Sequence, residues 1–288
     1  MGAFQNFNMR IVFFMAEMIQ WMVVLLSDIL TMSPQDFSPG AYAVSQAVGI
    51  GLAPFAVYIM VILWGVDFLG SVLSFSDKPL ESIIRLVFML AMGIMFTHIS
   101  FFLVMGLFDV FGGIVAGMAD LTTDFNFGEM LSHITSLIDD MNNTSNMVLF
   151  VFMAFSLLSF FGMFLGMILV PVAIFVELYI YAAFSPIPIA TLFTGQKQVG
   201  IAFIKLVISV CLRGSLVLFG INIALHIMSS GLFIVPDTAL GEGSFAWTGG
   251  ILRFFIPIMT ISISLMILQK CIKGAEQFAK SITGANAG

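Results

Sequence analysis

Seven ionisable side chains, Asp67, His98, Asp109, Glu177, Lys205, Arg213 and His226, interrupt long apolar runs of this 288-residue chain and are its main candidates for chemistry. A charge at the centre of a bilayer costs about 3 kcal/mol on insertion scales unless it is paired or wetted, so each needs a physical reason to be there. Their spacing favours pairing. Glu177 precedes the loop at Lys197 by about twenty residues and Arg213 follows it by about sixteen, so two antiparallel helices joined there bring carboxylate and guanidinium to similar depth. Lys205, Ser209 and Arg213 stand at i, i+4 and i+8 and form one ridge, which either meets the acids of neighbouring helices or faces water. Asp109 and Arg253 both fall near an outer boundary and make a second candidate pair. Three chemistries are open to such a set: fixing helix register, lining a hydrated path or substrate-facing surface, and relaying protons.

Other chemistry finds little support. His98 and His226 have no carboxylate or Cys at metal-ligand spacing, and Cys211 and Cys271 read as small apolar residues, so neither a metal nor another cofactor is expected. Nucleophile-elbow, Walker, HExxH and glycine-rich phosphate-loop patterns do not occur, which leaves no catalytic constellation.

The elements that must position these residues are apolar segments at about 11–32, 47–74, 84–118, 147–193, 201–229 and 249–272. With 60% hydrophobic residues, 9% charged residues and a mean hydropathy of +1.11, the chain has too little polar surface for a soluble domain. The expected fold class is all-α, a polytopic transmembrane helical protein of about six spans, or five spans plus an amphipathic N-terminal helix. Residues 1–33 form that N-terminal helix, 34–274 a polytopic membrane domain with an outer loop at 119–146, and 275–288 a short cytoplasmic tail.

The segments are separated by loops of alternating charge. Arg10, Lys78, Arg85, Lys197, Lys205, Lys270, Lys273 and Lys280 mark the inside ends. The interval 119–146 holds Asp120, Asp124, Glu129, Asp139 and Asp140 without one Lys or Arg, and 231–248 holds only Asp237 and Glu242; these are the outside ends. The expected location is a bacterial inner or plasma membrane, crossed several times, with both termini cytoplasmic. On the first helix, Arg10, Glu17 and Asp28 fall within about 20° of one line at 100° per residue. That helix either spans with its polar stripe against other helices or lies in the interface with the N-terminus outside. Arg10 inside and Asp36 outside favour spanning. Glu17 within the apolar run and the lack of a small-residue cleavage pattern before Ser33 argue against a cleaved signal, so this region is expected to be retained.

Several segments exceed what a bilayer needs. Residues 84–118 make about 52 Å of helix at 1.5 Å per residue, against a hydrocarbon core of about 30 Å. Tilt, or kinks at Gly93, Gly106 or Gly112, absorb part of the surplus, and the remainder argues for assembly with copies of the same chain or with other subunits. Gly113 with Gly117, and Gly162 with Gly166, are GxxxG spacings that mark either a subunit interface or ordinary helix packing within one protomer. The lipid bilayer is thus one partner. A net charge of −6 with dispersed basic residues restricts DNA contact to a transient or partner-mediated one.

The sharpest local motif runs from Tyr181 through Phe184-Ser185-Pro186-Ile187-Pro188-Ile189-Ala190 to the short loop Thr194-Gly195-Gln196-Lys197-Gln198. Two prolines two residues apart cannot both sit in a regular helix interior, so the helix is expected to kink or break near Ser185, at Pro186 and Pro188. In this break, the compact basic loop at Gly195 to Gln198 and the apolar stretch from Val199 to Leu218, the chain resembles the TrbL-type polytopic inner-membrane proteins of conjugative type IV secretion systems, in the versions found on Gram-positive mobile elements. The separate N-terminal helix and the basic tail also fit, and Phe203 stands where the family usually carries an aromatic. The resemblance implies a non-enzymatic homo-oligomeric channel or stalk-base subunit. It would work beside transport ATPases and other inner-membrane secretion subunits to pass single-stranded DNA with its attached relaxase, or protein, across the membrane. Two other classes compete: a secondary transporter or ion channel, with a midplane site at Pro186 and Pro188 and ion coupling through Glu177 or Asp67, and a membrane scaffold that anchors partner proteins.

Overall fold

The computed structural model describes residues 2–73, 79–119, 128–229, 263, 266–275 and 277–284. The elements are α1 (Ala3–Thr31), α2 (Pro34–Phe37), α3 (Pro39–Leu73), α4 (Pro79–Ala119), α5 (Gly128–Asp139), α6 (Asn143–Phe184), α7 (Pro186–Thr191) and α8 (Lys197–Ser229), and residues 266–275 and 277–283 are also helical. Among the described residues there is no strand. Ser-Pro pairs start two of these helices. The Ser33 hydroxyl accepts the Asp36 N–H at 3.2 Å and Ser38 accepts that of Ala41 at 3.4 Å, while Pro34 and Pro39 occupy first-turn positions where no N–H is needed.

Five helical stretches are long and apolar enough to cross a membrane: Ala3–Thr31, Pro39–Ser71, Ile83–Met118, Asn143–Phe184 and Lys197–Ile227. Large apolar side chains dominate their exposed surface, with Tyr58, Phe155 and Leu158 each about 70% exposed, a surface that lipid solvates better than water does. The chain is an all-α polytopic membrane protein. The expected sixth segment, 249–272, falls mostly outside the described residues.

The helices form two compact units. The first comprises Met1–Leu30, Ala116–Pro171 and Leu216–Ala275. Within it α1 follows the early part of α6 in the same direction, with Phe7 against Phe150 at 5.0 Å, Phe14 against Phe161 at 6.3 Å and Trp21 stacked on Phe164 at 5.9 Å. Val12, Met15, Ile19, Met22 and Leu26 are the buried face of α1. Arg10, Glu17 and Asp28 are exposed, so the polar stripe does not turn inward against other helices.

Polar contacts set the direction of α1. The Asn8 amide donates to the Asn146 carbonyl at 2.9 Å in a buried site, and Gln5 donates to the Asp139 carboxylate at 2.8 Å. A buried amide without such a partner carries a large desolvation cost, and this bond therefore holds the start of α1 beside the start of α6. The expectation that Arg10 lies on the side opposite the acidic interval is corrected accordingly: the N-terminal end of α1 accompanies residues 139–146. In a chain with Cys211 and Cys271 replaced by Ala, Asn6→Cys and Asp140→Cys are expected to react with an impermeant maleimide from the same side of an intact membrane. Labelling from opposite sides would refute this arrangement.

The second unit comprises Thr31–Val115, Val172–Ser215 and Glu276–Gly288. Its centre joins Ala56 and Met60 of α3 to Ala190 of α7, with Leu90 and Ile94 of α4, Ile187 and Phe193 around them. Gly93 proves to be a contact point: a Cβ there would lie 2.5 Å from Met60 Sδ and 3.0 Å from Phe193 Cβ. Two further bonds fasten α3 to its neighbours. The Ser45 hydroxyl donates to the Tyr179 carbonyl at 2.6 Å, and the Trp64 indole N–H donates to the Leu86 carbonyl at 2.8 Å.

Candidate functional site

The site is built around the break in the fourth apolar segment. Helix α6 ends at Phe184, and the Ser185 hydroxyl folds back to donate to the Ala182 carbonyl at 2.8 Å. Helix α7 starts at Pro186, so both Pro186 and Pro188 fall in its first turn, where their missing N–H groups leave no helical bond unmade. Ile189 then donates to the Ser185 carbonyl at 3.1 Å. The two prolines thus divide one apolar run into a long helix and a short one, as the motif predicts.

After α7 the chain turns at Thr194–Gln196 and enters α8 at Lys197, with α8 passing close over α7 at Gly200. A Cβ on Gly200 would lie 2.4 Å from Leu192 Cγ and 2.7 Å from the Pro188 carbonyl oxygen, so only glycine fits. This return sets α8 antiparallel to the end of α6. Tyr181 meets Phe203 edge-on at 6.4 Å, and further along Arg213 Nη1 donates to Glu177 Oε1 at 3.1 Å.

The pair is asymmetric. The Arg213 side chain is 6% exposed, whereas that of Glu177 is 36% exposed. Glu177 and Tyr181, one turn apart on α6, face Ser209 and Arg213, one turn apart on α8, across a cavity of about 270 Å³ whose rim is completed by Lys280. Ser209 Oγ is buried and has no hydrogen-bond partner among the described residues. A polar recess of this size accommodates water, at about 30 Å³ per molecule in the liquid. The arrangement can therefore hold fixed charges in a wetted pocket. Among the described residues no group of His, Cys, Asp and Glu is arranged to hold a metal ion.

No protein-family model, curated protein or solved structure matches this chain.

The remaining candidate residues are dispersed. Asp67 stands at the far end of α3, where its carboxylate accepts the Gly195 N–H and ties α3 to the basic loop. His98 and Asp109 are exposed on α4, and His226 is exposed near the end of α8. Arg253, the expected partner of Asp109, lies outside the described residues. Lys205 is exposed on the ridge, one turn before Ser209, with its ammonium beside Gly284. Around Gly113, Gly117, Gly162 and Gly166 a Cβ would meet nothing within 4 Å, so these glycines are not the close contacts of the described protomer.

Sequence reasoning found the central pair and missed two of its neighbours. Tyr181 carried a signal, since it follows Glu177 by one helical turn. Lys280 carried none: it reaches the cavity because residues 277–284 run back along α8, placing Gly284 near Lys205 and Lys280 near Ser209 and Arg213.

Proposed function

We propose that this protein is a membrane-embedded channel or stalk-base subunit of a conjugative type IV secretion machine, assisting transfer of single-stranded DNA and protein across the bacterial cell membrane. The observation that carries this reading is the length of apolar surface left without cover. On α4, within the second unit alone, Ile84, Phe88, Met95, Phe102, Val110 and Ile114 are all exposed. They mark about 45 Å of helix, about 42 Å of membrane normal at the average tilt of about 20°, against a hydrocarbon core of about 30 Å. Helix α6, at 42 residues, has a contour of about 63 Å. Lipid covers part of such a surface, and other protein covers the rest.

That surplus fits a subunit of a larger assembly better than a self-contained carrier. The break at Pro186 and Pro188, the basic loop at Lys197 and the Tyr181–Phe203 contact support the likeness to TrbL-type subunits. Arg85 and Lys197 line one cavity, so two of the basic loops lie at one end of the second unit; we assign that end to the cytoplasm. The C-terminal residues 277–284, which belong to the same unit, return toward Lys205 on that cytoplasmic side. Nucleotide-binding motifs are lacking, so driving force comes from partner ATPases, and a net charge of −6 leaves DNA handling mainly to other subunits.

The open space at Gly162 and Gly166 supports contact between copies through α6. Gly162→Leu with Gly166→Leu is expected to leave the protomer folded and to shift the purified particle to a smaller size; an unchanged oligomer would count against that surface. For the function itself, removing the chain from a donor cell is expected to abolish DNA transfer, with restoration when it is supplied in trans. Undiminished transfer would sink the proposal.

A further inference from the structure

Two cavities of the second unit follow one another along α4 and share a single lining residue, Phe193. The first, about 500 Å³, is polar where it is lined by Asp67, Ser71, Arg85, Thr194 and Lys197. The second, about 280 Å³, is apolar, with Phe96, Val104 and Leu107 on one side and Ile189, Phe203 and Val207 on the other. Phe193 stacks on Phe96 at 5.4 Å where the two meet. On α8 the groove-lining residues Phe203 and Val207 stand about 9 and 15 Å along the helix from Lys197, within reach of an acyl chain whose headgroup lies at Lys197.

We propose that the two cavities together hold one anionic phospholipid, with its phosphate between Arg85 and Lys197 and one acyl chain passing Phe193 into the apolar groove. Charge supports this choice. Among the described lining residues, Arg85 and Lys197 oppose one carboxylate, that of Asp67, which is already engaged by the Gly195 N–H, and the remaining positive charge of that set matches a phosphodiester monoanion. The first turn of α8 begins at Lys197 and adds the positive end of a 33-residue helix. A zwitterionic headgroup would bring a further cation into a site that is already cationic. The apolar groove distinguishes a lipid from free phosphate, because inorganic phosphate has no use for it. Val66, exposed and lining the polar cavity, gives the second chain an apolar contact. Basic pockets between helices at the cytoplasmic face are where anionic headgroups bind in membrane proteins generally.

The test uses the full chain, stripped of lipid by detergent exchange and then given phosphatidylglycerol or phosphatidylcholine, with retained lipid counted by native mass spectrometry. Wild-type protein is expected to keep one phosphatidylglycerol per protomer and to favour it over phosphatidylcholine at least tenfold; equal retention would overturn the proposal without any variant. Arg85→Gln with Lys197→Gln, and separately Leu107→Trp, which fills the groove, are each expected to lower phosphatidylglycerol retention at least tenfold while elution volume and helical circular dichroism stay unchanged. Full retention in the double variant would overturn the headgroup assignment. Loss in the double variant but not in Leu107→Trp, with inorganic phosphate competing for the site, would show a phosphate site without chain recognition and overturn the lipid assignment.

Discussion

Glu177→Ala is expected to destabilise the protein by about 3 kcal/mol, because it removes the carboxylate that faces a guanidinium only 6% exposed. The reverse change, Arg213→Ala, is expected to cost less, since the remaining carboxylate is 36% exposed and can turn to water. Removing both members also removes the buried charge, and Glu177→Ala with Arg213→Ala is expected to recover part of the loss seen with Glu177→Ala alone. Thermal unfolding in detergent, read with folded yield, measures all three. Strictly additive losses would mean that the 3.1 Å contact is not an energetic unit. Glu177→Gln keeps the shape and an acceptor without the charge, so it is expected to fall between wild type and Glu177→Ala.

The second large effect is Gly200→Ala, with an expected loss of about 2 kcal/mol from overpacking. The added methyl would meet Leu192 Cγ at 2.4 Å, which a side chain can relieve, and the Pro188 carbonyl oxygen at 2.7 Å, which only a backbone shift can relieve. That shift moves α8 against α7 and so disturbs the approach of Arg213 to Glu177. The matched control is Gly162→Ala, where a Cβ meets nothing and alanine is the better helix former by up to about 1 kcal/mol. If Gly200→Ala and Gly162→Ala proved equally harmless in thermal unfolding, the close approach of α8 to α7 would be wrong.

The central pair was legible in the sequence for a simple reason. A short loop at Lys197 favours antiparallel neighbours, and the similar counts from it, about twenty and about sixteen residues, bring Glu177 and Arg213 to similar depth. The break near Ser185 was legible because proline removes a donor, and its outcome, a second helix beginning at Pro186, obeys the same chemistry. The direction of α1 was not legible. Charge placed Arg10 inside, but charge reports on insertion, whereas Asn8 bonding to Asn146 and the ring contacts with Phe150, Phe161 and Phe164 pair residues far apart in sequence.

Asp67 shows another limit. Its place in an apolar run is read from sequence, but its partner, the Gly195 N–H 128 residues away, is not. The glycines were legible only in part: around the GxxxG pairs a Cβ meets nothing within 4 Å among the described residues, while Gly93 and Gly200, which match no spacing rule, carry tight contacts. Close approach depends on what the opposing helix presents, and one strand of sequence does not contain that information.

Purification of the tagged protein from its native membrane in mild detergent, followed by sizing and mass spectrometry of whatever accompanies it, tests the proposed role in secretion most directly. The account predicts a large oligomer that carries transport ATPases and other inner-membrane secretion subunits. A small particle free of partners, which alone moves ions or solutes across liposome membranes, would contradict it and identify a transporter instead.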